Sequence, residues 1–164
     1  GWKGTTYEGG VRVPAMVRWP GEVPADRQAT EPMALMDLYP SFLQAAGASV
    51  PADRTVDGQN MLSYLRGESE EGREVYYYAQ GENVQAVRSG PWKLRLPPGT
   101  IESPDTRRNL RMPEDEIPEV QLFHLRRDPS ERWNLADNHP ELVDSLRTMI
   151  ENHQAELETS GPDS

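Results

Sequence analysis

The chain has 164 residues, 17 Lys and Arg against 27 Asp and Glu, and a net charge of −10, so no basic footprint invites a nucleic acid. It has no cysteine, which excludes disulfides, thiolate metal sites, a cysteine nucleophile and any cofactor made from cysteine. Residues 1–60 hold 5 basic and 7 acidic side chains, so −8 of the charge falls on residues 61–164. The apolar share is 35%, and proline stands at 15 positions, about twice its usual frequency, which implies a modest core and many punctuated loops. No apolar run approaches the roughly 18 residues of a membrane span. The start, Gly1-Trp2-Lys3-Gly4, has neither an initiator Met nor a signal-peptide apolar region, and reads as cut from something longer.

In chain order, Val11, Val13, Ala15, Val17 and Trp19 alternate with Arg12, Pro14, Met16 and Arg18, the period of a strand, ended by Pro20-Gly21. Pro14 lacks a donor and makes that strand an edge or an irregular one. A helix is predicted from about Asp37, its N-cap, to Ala46, with Leu38, Phe42 and Ala45 on one stripe and Gly47 as a left-handed cap. A short helix around Asn60 to Leu65 closes at Gly67. The acidic stretch 67–74 is the best internal boundary.

Beyond it the period changes. Glu74 to Ala79, with Val75 and three tyrosines, suits a pleated surface. Val84 to Arg88 and Trp92 to Leu96 flank Ser89-Gly90-Pro91 as a hairpin. A polar loop runs from Gly99 to Glu116, then a strand from Val120 to Leu125 that turns at Asp128-Pro129-Ser130. A helix from Pro140 to Leu157 closes the chain, with Leu142, Leu146, Met149, Ile150, His153 and Leu157 as its packing face. Residues 1–67 hold too few elements to bury both faces of a layer. Residues 74–160 suffice for an antiparallel sheet with one helix.

Several segments, in order, carry a resemblance. Lys3-Gly4-Thr5-Thr6-Tyr7-Glu8-Gly9-Gly10-Val11-Arg12-Val13-Pro14 followed by Trp19-Pro20-Gly21 resembles the second signature region of the sulfatase family. Met36-Asp37-Leu38-Tyr39-Pro40 and Val56-Asp57-Gly58-Gln59 with Leu65-Arg66-Gly67 are similar to the segments that follow it. Ala86 to Leu94 resembles the hairpin of the family's C-terminal subdomain. Leu122-Phe123-His124-Leu125, Asp128-Pro129-Ser130-Glu131 and Asn134-Leu135-Ala136 resemble the turn before its last helix. The likeness covers nearly the whole chain and matches the C-terminal portion of an arylsulfatase-type enzyme.

The fold that this implies is α/β and α+β. Residues 1–67 would end an alkaline-phosphatase-like sulfatase domain, and residues 74–164 would form a small C-terminal subdomain of antiparallel sheet and one long helix. The activity implied is hydrolysis of sulfate esters, on a sulfate-ester small molecule or a sulfated sugar, with calcium and a formylglycine made from a C/S-x-P/A-x-R motif. This chain has no cysteine, Ser41 and Ser103 do not stand in that pattern, and the family's metal-binding Asp and Asn pairs have no counterpart. The chain alone is therefore expected to bind neither cofactor and to be inactive. The resemblance carries over one residue, Lys3, as the lysine that contacts sulfate, a catalytic and substrate-binding role. A compact ammonium with three donors suits charge on sulfate oxygens. The family also implies a periplasmic or secreted location.

Other residues read more plainly. Glu8-Gly9-Gly10 is structural, and Arg12 and Arg18 suit ion pairs. His124, His139 and His153 are too scattered for a metal set. Tyr76, Tyr77, Tyr78 and Trp92 suit cross-strand packing, with a sugar-stacking surface as the alternative. Glu114-Asp115-Glu116 reads as a solvated loop, and Gly99 to Glu116 as a variable element near a substrate, because loops carry specificity. Two rival functions remain open: a phosphonate or phosphodiester hydrolase of the same superfamily, and a non-catalytic carbohydrate- or partner-binding module.

Overall fold

The computed structural model describes residues 3–81, 83–97 and 120–159. The Gly99 to Glu116 loop, with its acidic run, lies outside the described residues. The chain divides into two compact units, Gly1–Val13 together with Val75–Ser164, and Pro14–Glu74. The second boundary falls at the acidic break. The first does not follow the 1–67 piece drawn from sequence, because the residues before Pro14 pack with the sheet.

In the sheet unit, four antiparallel strands lie in the order β1 (Val75–Gln80), β2 (Asn83–Ser89), β3 (Trp92–Arg95) and β4 (Gln121–His124). The expected hairpin is present: Ser89 pairs with Trp92 across a two-residue loop whose first residue, Gly90, has φ +54°. That positive φ matches the right-handed twist of the flanking strands, which is why a glycine stands there. The β1–β2 register shifts between Tyr78 and Ala79, a bulge in the run of tyrosines. The free edge of β4 is covered by side chain and backbone together. Leu122 N–H donates to Asn134 Oδ1 at 2.9 Å, Asn134 Nδ2 donates to the Val120 carbonyl at 2.9 Å, and Leu135 N–H donates to the Leu122 carbonyl at 2.8 Å. Asn134 thus stands in for a strand and blunts an edge that would otherwise invite pairing.

One face of this sheet is apolar. Val84, Val87, Leu94, Leu96 and Leu122 pack against Val143, Leu146 and Ile150 of the terminal helix, Pro140–Thr159. Of the stripe expected from sequence, Leu146 and Ile150 are buried, Leu142 and Met149 pack at its margin, and Leu157 is exposed. His153 stacks on Tyr77 at 3.9 Å.

In the second unit, helix Leu38–Ala45 follows a 3-10 turn at Leu35–Asp37, and helix Leu62–Arg66 ends at Gly67. The first helix stops as expected at Gly47, φ +70°, where Gly47 N–H bonds Gln44 O at 3.0 Å and Ala48 N–H bonds Leu43 O at 2.8 Å. This is the paired-bond ending that satisfies its last carbonyls. Asp37 does not cap that helix. Its fully buried carboxylate accepts N–H bonds from Ala34 at 2.7 Å and Gln59 at 2.8 Å, and pairs with Arg73. Burial raises the Asp37 pKa, but the Arg73 guanidinium and the two backbone N–H groups outweigh it, and the net shift is downward.

The strand expected over Val11 to Trp19 is absent. Glu8–Val11 is a single helical turn, and residues 12–19 form neither helix nor strand. A period-2 pattern marks a chain that could be a strand, but a strand needs a neighbour to take its N–H and C=O groups. Among the described residues none pairs with this segment, and its apolar side chains stand out, with Val13 78% and Met16 99% exposed.

Candidate functional site

The sheet's second face is polar yet closed to water. The alternation Trp92-Lys93-Leu94-Arg95-Leu96 sends Leu94 to the apolar core, and Lys93 and Arg95 to the opposite side. Lys93 is 0% and Arg95 2% exposed. What covers them is the segment Thr5 to Glu8, itself mostly buried. Thr6 Oγ1 receives the Arg95 Nε–H at 3.2 Å and donates to Gln85 Oε1 at 3.3 Å. The Tyr7 hydroxyl donates to Gln121 Oε1 at 2.6 Å, and the Arg95 guanidinium lies 4.3 Å above the Tyr7 ring. Gln80 Nε2 donates to the Gly4 carbonyl at 3.4 Å.

At the centre sits a lysine between two carboxylates. Lys93 Nζ donates to Glu8 Oε1 at 2.9 Å and lies 2.9 Å from Glu131 Oε1, a charge contact rather than an aligned hydrogen bond. Glu131 Oε2 accepts the Glu8 backbone N–H at 2.6 Å. Glu131 holds this position at φ +55°, left-handed backbone that costs a non-glycine residue roughly 1–2 kcal/mol. The turn that imposes it is tied by Asp128, whose Oδ2 accepts N–H bonds from Arg132 at 2.7 Å and Trp133 at 2.9 Å. Two cations and two carboxylates thus balance in a dry layer. Burial lowers the Arg95 pKa and raises that of Tyr78, whose ring lies 4.3 Å from Lys93 Nζ.

This network holds the backbone from Gly4 to Glu8 and leaves Lys3 outside it. Lys3 is exposed, next to Gly4 at φ +88°. The sequence singled out Lys3 and took Glu8 as structural. Glu8 is buried and locked to Lys93, and it also lies 4.0 Å from Arg12. Lys93 and Arg95 take no role from sequence, because charged residues alternating with leucine look like a solvated face, and Glu131 appears only as part of the Asp-Pro-Ser-Glu motif. Glu131, just after the Asp-Pro-Ser turn, was the one available signal.

The remaining candidates separate. Tyr77 and Trp92 pack on the helix side, Trp92 edge-on to His124 at 4.7 Å and to His139 at 5.0 Å. Tyr78 meets Lys93 on the other side and contacts Tyr76 edge-on at 4.7 Å. The four rings therefore form no common stacking platform. Among the described residues no group of three or more His, Asp or Glu is placed to hold a metal ion. The formylglycine motif C/S-x-P/A-x-R does not occur in this sequence. No helix among the described residues is long and apolar enough to cross a membrane. In the second unit a mostly apolar hollow of about 570 Å³ is lined by Met16, Val17, Trp19, Leu38, Phe42 and Leu65, with Arg18 and Ser41 as the polar residues of its lining.

Family models match this chain along its length: the C-terminal region of aryl-sulfatase over residues 71–163, and the C-terminal part of N-sulphoglucosamine sulphohydrolase over residues 2–91. It is 31% identical to the N-acetylgalactosamine-6-sulfatase of Canis lupus familiaris over 98% of this chain and 34% of that protein. It is 34% identical to the steryl-sulfatase of Mus musculus over 96% of this chain and 28% of that one. Among solved structures, a Bacteroides thetaiotaomicron protein described under the metabolism of multiple glycosaminoglycans superposes with a TM-score of 0.70 at 28% identity, over 90% of this chain and 30% of that one. The PsFucS1 sulfatase from Pseudoalteromonas sp. shares the fold, with a TM-score of 0.77 at 24% identity, over 100% of this chain and 34% of that one. The chain thus spans about a third of the length of the relatives it matches. It belongs to the sulfatase family and corresponds to the C-terminal portion of its members.

Proposed function

We propose that this chain serves within a longer sulfuric ester hydrolase, where Lys3 contacts the sulfate group and the sheet unit holds that lysine in place. The observation that carries the reading is the buried polar clamp on Thr5 to Glu8 beside an exposed lysine. A flexible ammonium at a chain end spends its charge on water. One whose adjoining backbone is fixed can be aimed at developing charge without reorganisation at the moment of reaction. Lys3 would offer up to three N–H donors to the sulfate oxygens.

The formylglycine motif is not in this sequence, and among the described residues no acidic cluster is placed to hold calcium, so no step is routed through either group. By itself the 164-residue chain is expected to turn over no sulfate ester. The substrate is a sulfate ester, with sulfated sugars and steroid sulfates both suggested by the relatives' names. The test is a screen of the complete gene product on aryl and sugar sulfates beside matched phosphate and phosphonate esters. Sulfate-ester turnover at least about a hundredfold above the others supports the reading. Preference for phosphodiesters or phosphonates assigns the chain to the rival hydrolase class, and absence of all turnover contradicts the proposal.

A further inference from the structure

The resemblance assigns a role only to Lys3, but the structure shows what fixes that lysine's neighbours. Lys93, 85 residues further along the chain from Glu8, is 0% exposed and makes its 2.9 Å contacts to carboxylates from two different segments. Glu8 belongs to the lysine-bearing segment, and Glu131 belongs to the turn after β4. Glu131 in turn accepts the Glu8 N–H and sits in left-handed backbone, a conformation kept only where the surroundings over-determine it.

We propose that Lys93 is a positioning residue for the sulfate contact: its ammonium binds Glu8 and Glu131 together and thereby fixes the backbone that presents Lys3. This rests on the role given to Lys3 above. Without the ammonium, two carboxylates would remain buried side by side, and like charges in a dry site repel strongly. Releasing the segment carrying Glu8, or protonating one of the two carboxylates, relieves that repulsion, and either removes the ionic clamp on the segment. Packing alone does not require the charge, since a methionine fills similar volume. Arg95, bonded to Thr6 and Gln121, tethers the same segment from the next position along β3.

The experiment uses the complete gene product with Lys93→Met, Lys93→Arg and Glu131→Gln, each alone and combined with Lys3→Ala. Amide exchange at Glu8 should accelerate about tenfold or more in Lys93→Met, while Leu94 and Leu122 in the sheet keep their protection. Sulfate-ester kcat should fall about tenfold with KM within twofold, the signature of displaced rather than lost machinery, and Lys93→Arg should recover part of it. Because Lys93 acts through Lys3, the Lys3→Ala/Lys93→Met double variant should be no slower than Lys3→Ala alone. Should Lys93→Met lose protection throughout the sheet, Glu131→Gln carries the same test with the lysine retained. Unchanged Glu8 exchange, or rate losses that multiply in the double variant, overturn the positioning role. A Lys3→Ala variant with full activity overturns instead the role of Lys3 on which it rests.

Discussion

Replacing Asp37 by Ala should be among the most damaging single changes in the Pro14–Glu74 unit. The carboxylate is fully buried and collects four donors: the Ala34 and Gln59 backbone N–H groups at 2.7 and 2.8 Å, the Arg73 Nε–H at 3.1 Å, and Arg73 Nη2. It therefore joins the start of one helix, the segment before the next, and the end of the unit. Alanine strips a buried guanidinium of its carboxylate and orphans two backbone donors. Breaking a buried ion pair from one side costs about 3–5 kcal/mol, against about 0–1 kcal/mol for an exposed pair. Asp37→Asn, which keeps the shape and one acceptor, should lose less.

The assay is urea denaturation at several pH values. The folded Asp37 pKa is depressed below its unfolded value near 3.9, so its stabilisation is fully present above about pH 4 and fades as pH falls through the folded pKa. The gap between parent and Asp37→Asn should be widest near neutrality and narrow in acid. A loss under about 1 kcal/mol, or a gap that does not shrink below about pH 4, would refute the assignment of Asp37 as a charged hub.

Two further changes test the packing. A Cβ on Gly58 would lie 2.2 Å from the Met36 carbonyl oxygen, so Gly58→Ala must displace backbone between Asp57 and Gln59, and should cost about 1–3 kcal/mol by denaturation. Asn134→Ala removes the acceptor of the Leu122 and Ala136 N–H groups, and should cost about 1–2 kcal/mol with faster amide exchange at Leu122.

What was legible in the sequence was local. The β2–β3 hairpin follows from Ser89-Gly90-Pro91, and the end of helix Leu38–Ala45 follows from Gly47. The terminal helix follows from Pro140 and its apolar spacing. In each case the deciding interactions lie within a few residues. The strand expected over Val11 to Trp19 failed for the opposite reason: periodicity records a capacity to pair, and pairing needs a neighbour. The buried Lys93 and Arg95 face drew no expectation from sequence, since its cover comes from residues 5–8, far away in the chain. Asp37 was correctly noticed and wrongly assigned, because a helix-start aspartate usually caps the helix it precedes. Here its partners are Gln59 and Arg73. Of the candidate site, motif likeness suggested Lys3, while the buried clamp on Thr5 to Glu8 required the fold.

The most direct measurement is the rate of sulfate-ester hydrolysis by the complete gene product carrying Lys3→Ala, beside Lys3→Arg. Lys3 is exposed and its removal leaves the buried clamp intact, so the unfolding midpoint should hold while kcat/KM falls about 10²–10³-fold, with partial recovery by arginine. A Lys3→Ala enzyme that hydrolyses sulfate esters at the parent rate would contradict the account.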